Sequence, residues 1–243
     1  MVDRYNRPPI WPPWAVPDCP PKMKILLSPV AALLVTCVTV IPAQSEEVRG
    51  DAKAGEKKIA LCIGCHGISG YRASFPEVYS VPMISGQGAR YIVSALAAYT
   101  SGARKHPTMR GVVANLSEQD IADVAAHYEV SGKLVRATAP KKLVDGNSPA
   151  AVLLKKGACM SCHGESLSKP LEPGYPKIAG QHADYLFVAL KSYKAEGHPT
   201  WGRANPIMGA VARQFSNVEL KELADYVGAL PGELSTLAQP GFK

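Results

Sequence analysis

The 243-residue sequence predicts an all-α fold built twice in tandem. Three observations predict it. One pattern of residues recurs at an offset of 94 to 99 positions. Both copies carry helix-start signals followed by apolar residues at helical spacing. No segment alternates apolar and polar residues for long enough to read as a strand. A chain that is 47% hydrophobic is neither disordered nor low-complexity, and its length suits one large domain or two small ones.

The repeat is explicit. Cys62, Cys65 and His66 match Cys159, Cys162 and His163 at an offset of 97. Pro82-x-Ile84-x-Gly86-Gln87 matches Pro176-x-Ile178-x-Gly180-Gln181 at 94, as do Tyr91, Leu96 and Tyr99 with Tyr185, Leu190 and Tyr193. Arg104-x-x-Pro107-x-Met109 matches Arg203-x-x-Pro206-x-Met208 at 99. The offset changes only in segments that read as loops, as expected of a duplicated domain.

Each copy reads as helix, Cys-x-x-Cys-His motif, loop, helix, methionine loop, helix. Asp51 caps a helix running to about Ala60, and Ser148-Pro149 opens its counterpart. Ser117-Glu118-Gln119-Asp120 and Ser216-Asn217-Val218-Glu219 are capping boxes. Ile121, Val124, Ala125 and Tyr128 then recur at helical spacing, as do Leu220, Leu223, Ala224 and Val227. Val130 to Asn147, with Gly132, Pro140 and Gly146, reads as the linker. The division is 46–136 for the first domain and 137–243 for the second.

Residues 1–45 are set apart as a leader, either removed or kept as an anchor. Lys22 and Lys24 precede an apolar run from Ile25 to Ile41, and small residues follow at Ala43 and Ser45. The run is short for a membrane span and contains Pro29. Met23 is a better start for such a segment than Met1. The formal net charge is +7, with no block of like charges that suggests a nucleic-acid tail.

Cys-x-x-Cys-His is the signature of covalent haem c attachment. The two thiols add across the haem vinyl groups as thioethers, and the adjacent histidine is held against one face of the ring. The spacing within one helical turn lets Cys62, Cys65 and His66 face one disc, and likewise Cys159, Cys162 and His163. A zinc site needs a second ligand pair at close spacing, which neither copy has. A redox dithiol explains neither the histidines nor the repeat. Two covalently bound haem c groups are therefore expected. A haem is also a large apolar disc that completes the core of a domain of about 90 residues, which is marginal alone.

The second axial ligand is expected to be methionine, the partner of histidine in electron-carrying cytochromes c. Met160 lies between two cysteines and cannot reach round the ring. Met83 aligns with Lys177. Met109 and Met208 align with each other, just before the last helix. Histidine is the rival ligand, but His106 aligns with Asn205 and His198 falls in an insertion. The carbonyls of Pro82 and Pro176 are candidates to fix the other histidine nitrogen. Arg104 and Arg203 are either propionate contacts or solvated surface charges.

These residues resemble the cytochrome c4 family of two-haem class I cytochromes, over roughly 50–235. The resemblance implies two tandem class I cytochrome c domains packed on one another, in a periplasmic protein that is often membrane-associated. It implies electron transfer from a cytochrome bc-type complex towards a terminal oxidase. Two alternatives stand beside it: the electron-accepting subunit of a dehydrogenase, and a two-haem peroxidase or thiosulfate dehydrogenase. With His66, Met109, His163 and Met208 as axial ligands neither iron has an open position, so an electron carrier with no catalytic residue is expected.

Overall fold

The computed structural model describes residues 48–132, 148–195 and 197–238. The leader 1–45, most of the linker and the boundary at 136/137 lie outside the described residues. Among the described residues no helix is long and apolar enough to cross a membrane.

The first domain opens with α1 (Ala52–Glu56), whose first amides, Lys53 N and Ala54 N, donate to the Asp51 carboxylate. The sequence reading carries this helix on to Ala60. Instead the last turn tightens, with Lys57 and Lys58 donating to carbonyls three residues back. This drops Ile59 into the core before α2 (Ala60–His66) begins. A two-residue hairpin follows, β1 (Arg72–Ala73) on β2 (Tyr79–Ser80). Then come α3 (Ala89–Ser101), β3 (Arg104–Lys105), α4 (Pro107–Val113) and α5 (Glu118–Ser131). Val130 and Ser131 therefore belong to the last helix rather than to the linker.

The second domain repeats the order as α6 (Pro149–Lys156), α7 (Met160–His163), α8 (Ala183–Ser192), β4 (Gly202–Arg203), α9 (Pro206–Ala212) and α10 (Asn217–Ala229). In both, the capped last helix is the packing hub. α5 lies against α1 and α3, and α10 against α6 and α8. The second domain buries an eleven-residue apolar cluster centred on Leu220, which is fully buried. The first buries five: Ile59, Ile92, Val124, Ala125 and Tyr128. The smaller cluster depends more on whatever fills the space beside it.

The strands are absent from the sequence reading because two residues carry no measurable period. They matter nonetheless. β3 and β4 come from different domains and pair antiparallel, Arg104 opposite Arg203 and Lys105 opposite Gly202. Arg104 and Arg203, equivalent in the repeat, thus face each other, as across a two-fold axis. Around this seam the Asp184 carboxylate accepts from Ser80 N and Ser80 Oγ at 2.9 Å and pairs with Arg72 at 3.2 Å. Lys191 pairs with Glu77 at 2.5 Å. Lys105 Nζ donates to the His198 carbonyl at 2.7 Å, giving the insertion of the second copy an anchoring role.

Both capping boxes form as read: Ser117 with Asp120, and Ser216 with Glu219. Hydrogen bonds from Lys58 and Ser117 hold the Asp120 carboxyl down at about 2. Backbone donation from Ser216, with Lys156 beside it, does the same for Glu219, from 4.5 to about 2. A depressed folded-state value contributes stability above the unfolded value, lost as pH falls through the folded one. The first domain should therefore lose stability from about pH 3.8 to pH 2 and the second from about pH 4.5 to pH 2. Replacing Glu219 by Gln should flatten that fall for the second domain, read as thermal midpoints across the window.

Candidate functional site

All eight candidate ligands line one cavity of about 560 Å³ that runs between the domains. Its walls are built from equivalent apolar positions of the two copies. Ile84, Ile92, Val112, Leu116 and Val124 have Ile178, Leu186, Val211, Phe215 and Leu223 as counterparts.

The cysteines come first. Cys62, Cys65 and His66 share α2, and Cys162 and His163 share the single turn of α7, with Cys159 at its N-terminal boundary. All four cysteines are partly buried and none is held in a disulfide, which leaves each sulfur available for a thioether.

The histidines are oriented by backbone. His66 Nδ1–H donates to the Pro82 carbonyl at 2.9 Å, and His163 Nδ1–H to the Pro176 carbonyl at 2.9 Å. A carbonyl only accepts, so Nδ1 carries the hydrogen and Nε2 keeps its lone pair for a metal. Burial lowers both imidazoles below the ordinary histidine range, against the opposing effect of the carbonyls. Both imidazoles are neutral at neutral pH.

The methionines sit not on loops, as the sequence reading has them, but in the first turns of short helices. Seven residues opened by a proline carry too little periodicity to read as helix. Pro107 and Pro206 start α4 and α9. Met109 N–H donates to the capping His106 Nδ1, and Met208 N–H to the capping Asn205 Oδ1 at 2.9 Å. This explains the alignment of His106 with Asn205: both are caps. The other nitrogen of His106 meets Tyr79 Oη at 3.0 Å, so both ring nitrogens are engaged. Tyr79 has no counterpart in the second copy, and repeat reading therefore misses it.

Arg104 and Arg203 are not solvated surface charges. Both line the cavity at the seam. Each donates to Tyr185 Oη, at 2.8 and 3.1 Å, and Arg104 reaches Tyr91 Oη while Arg203 reaches Tyr193 Oη. Arg104 lies 4.8 Å from the Tyr99 ring centre. Among the described residues no carboxylate pairs with either guanidinium, and buried Arg104 Nε has no partner. Burial opposes ionisation of Tyr185, yet the two cations bring its phenol down to about 8. Two half-buried cations that line a cavity with only phenols for company call for an anion. The propionates of haem c supply one. Thiols, a pre-oriented imidazole, a capped methionine, apolar walls and a cationic end together fit haem c in both copies.

Comparison with known proteins agrees. The cytochrome c family model matches residues 149–231. The chain is 32% identical over 188 residues to cytochrome c4 of Pseudomonas aeruginosa, covering 74% of this chain and 89% of that one. It is 29% identical to a thiosulfate dehydrogenase electron acceptor of Stutzerimonas stutzeri, covering 82% and 92%. Among solved structures, reduced recombinant cytochrome c4 from Pseudomonas stutzeri superposes with a TM-score of 0.55 at 30% identity, covering 74% of this chain and 99% of that chain. Duplicated fold, cavity and relatives converge, and the chain belongs to the cytochrome c4 family, electron carriers whose two class I cytochrome c domains each hold a covalently bound haem c.

Proposed function

We propose that this protein is a periplasmic shuttle carrying electrons from a cytochrome bc-type complex towards a terminal oxidase, with both irons closed by protein ligands. Cys62 and Cys65 bind the first haem, with His66 and Met109 as axial ligands. Cys159 and Cys162 bind the second, with His163 and Met208. The division at 136/137 separates the two units.

The observation that carries this reading is the matched pair of fixed ligands. Each histidine is tied at Nδ1 to a proline carbonyl, and each methionine is held by a capped helix start. The haem supplies a one-electron change when bound, and the protein's part is orientation, burial and potential. The apolar walls exclude water from the ring faces. The Arg104–Arg203 pair would offset propionate charge at the seam. No general acid, base or nucleophile is required. The leader 1–45 supports export, and a periplasmic location follows from it.

The test is an optical spectrum with haem quantitation on the purified protein. Two haems per chain, both low-spin with a methionine-to-iron band, are expected. One haem, or a high-spin fraction in the native protein, would overturn the reading. A second reading is favoured by the thiosulfate dehydrogenase electron acceptor among the relatives: the protein accepts electrons from a dehydrogenase. Reduction by thiosulfate only when such a dehydrogenase is added would select it.

Replacing both Arg104 and Arg203 by Leu should lower both haem potentials. Reduction adds negative charge, which nearby half-buried cations favour. The expected change is on the order of tenfold in the ferrous-to-ferric ratio, about 60 mV for one electron. A redox titration at low and high salt checks it, since partly buried charges are little screened.

A further inference from the structure

Gln87 and Gln181, the repeated Gly-Gln residues, reach across the seam. Each is only 4% exposed, and a buried amide must find partners. Gln181 Oε1 accepts from Met83 N–H at 3.0 Å, and its Nε2 donates to the Met83 carbonyl at 2.8 Å. Gln87 does the same to Lys177: Oε1 accepts from Lys177 N–H at 2.9 Å and Nε2 donates to its carbonyl at 3.0 Å. Met83 and Lys177 are equivalent in the repeat, so the contact is reciprocal.

The placement of these bonds is what matters. The N–H of Met83 and the carbonyl of Pro82 belong to one peptide group. That carbonyl accepts from His66 Nδ1–H. One unbroken chain therefore runs from the Gln181 amide, through the Pro82–Met83 peptide, to the His66 ring. Its twin runs from Gln87, through the Pro176–Lys177 peptide, to the His163 ring. Each histidine is thus wired to a side chain of the other domain.

The turn that carries each glutamine is built for this approach. Gly86 and Gly180 have φ of +89° and +73°. Gly86 N–H donates to the Tyr128 carbonyl and Gly180 N–H to the Val227 carbonyl, pinning each turn to its own last helix. A side chain at Gly86 would strike the Glu233 carbonyl of the second domain.

We propose that Gln181 and Gln87 are crosswise positioning residues, each setting the donor strength of the axial histidine in the opposite domain. A peptide whose N–H is hydrogen-bonded is a better acceptor at its carbonyl. A better acceptor pulls the Nδ1 proton, makes the imidazole more basic and favours ferric iron. Linkage is reciprocal: oxidation of one haem strengthens the bond chain that holds the other domain. The inference rests on His66 and His163 being the axial ligands proposed above.

The test compares Q181L and Q87L in the intact two-haem protein. The potential of each haem is followed by haem-methyl resonances, assigned to a domain through contacts with Met109 or Met208. Q181L should raise the ferrous-to-ferric ratio of the first-domain haem about threefold, about 30 mV, and leave the second unchanged. Q87L should do the reverse. In the ferrous protein the Nδ1–H resonance of His66 should move in Q181L and that of His163 in Q87L. A shift confined to the variant's own domain, an equal shift of both haems, or no shift overturns the proposal.

A wild-type measurement needs no variant to fold. A scalar coupling across the hydrogen bond, from Met83 nitrogen to Gln181 Cδ, should be present in the ferrous protein. Its absence also overturns the proposal. Failure of the ligand assignment looks different: the His66 and His163 ring resonances would lack haem-induced shifts before any substitution.

Discussion

Replacing Cys62 and Cys65 together by Ala should leave a chain with one haem and an unfolded first domain. The reason lies in the size of the two cores. The first domain buries a five-residue apolar cluster, the second one of eleven. A unit of about 90 residues is marginal without further burial. In the first domain, Val124 and Tyr128 of α5 and Ile92 of α3 line the cavity as well as forming the cluster. Without the cofactor these faces meet empty space, and an unfilled cavity costs roughly 24 cal/mol per Å³, so a void of even about 200 Å³ costs about 5 kcal/mol. That is comparable to the whole stability of a small domain, about 5–15 kcal/mol. The matching Cys159 and Cys162 replacement should also yield one haem, but leave more helix intact. Mass of the intact chain gives haem stoichiometry. Far-ultraviolet circular dichroism and the denaturant slope, expected to fall by about half for the first variant, give the fold. Two haems, or an unchanged slope, would contradict the account.

Met208→Ala should open one iron without unfolding its domain. Met208 is half-buried and lies in the first turn of α9, where Asn205 and Pro206 keep the helix start intact. The methionine-to-iron band should fall by half. Cyanide should bind one haem as fast as an open site allows. Methionine opposite histidine raises the potential, so its loss should lower that of the second-domain haem. The expected change is on the order of 100-fold in the ferrous-to-ferric ratio, about 120 mV. Met109→Ala should act likewise on the first domain. Stopped-flow cyanide binding and a redox titration check both. Asn205→Ala offers a graded comparison. Loss of the cap costs about 1 kcal/mol and loosens the methionine without removing it.

The residues most legible in the sequence were those whose chemistry is local. Cys62, Cys65 and His66 fall within one helical turn, so their spacing alone states what they can hold. The caps at Asp51, Ser117, Ser148 and Ser216 are also local, and all four form. Where local signals were weak, the reading slipped by a few residues. The tightened turn at Lys57–Lys58 and the seven-residue helices of Met109 and Met208 are too short to impose a period. His106 aligns with Asn205 in the repeat, and the tertiary structure shows that both are caps. A cap is a hydrogen bond to an amide three residues on, and histidine is not among the usual capping residues.

Repetition in the chain determined the fold class and singled out the paired cysteines, their histidines and the matched methionines. Each of these follows from spacing inside one copy or from equivalence between copies. Only the tertiary structure decided what the two copies do to one another. Gln87 and Gln181 were visible as a repeat, and so were Arg104, Arg203, Tyr91 and Tyr185. Equivalence at an offset of 94 or 99 says that two residues play the same part, not that they meet. Arg104 faces Arg203, and each glutamine reaches the peptide behind the other domain's histidine, because the two domains dock in one particular orientation. That orientation is set by contacts between residues some 80 or more positions apart, which no local pattern along the chain encodes.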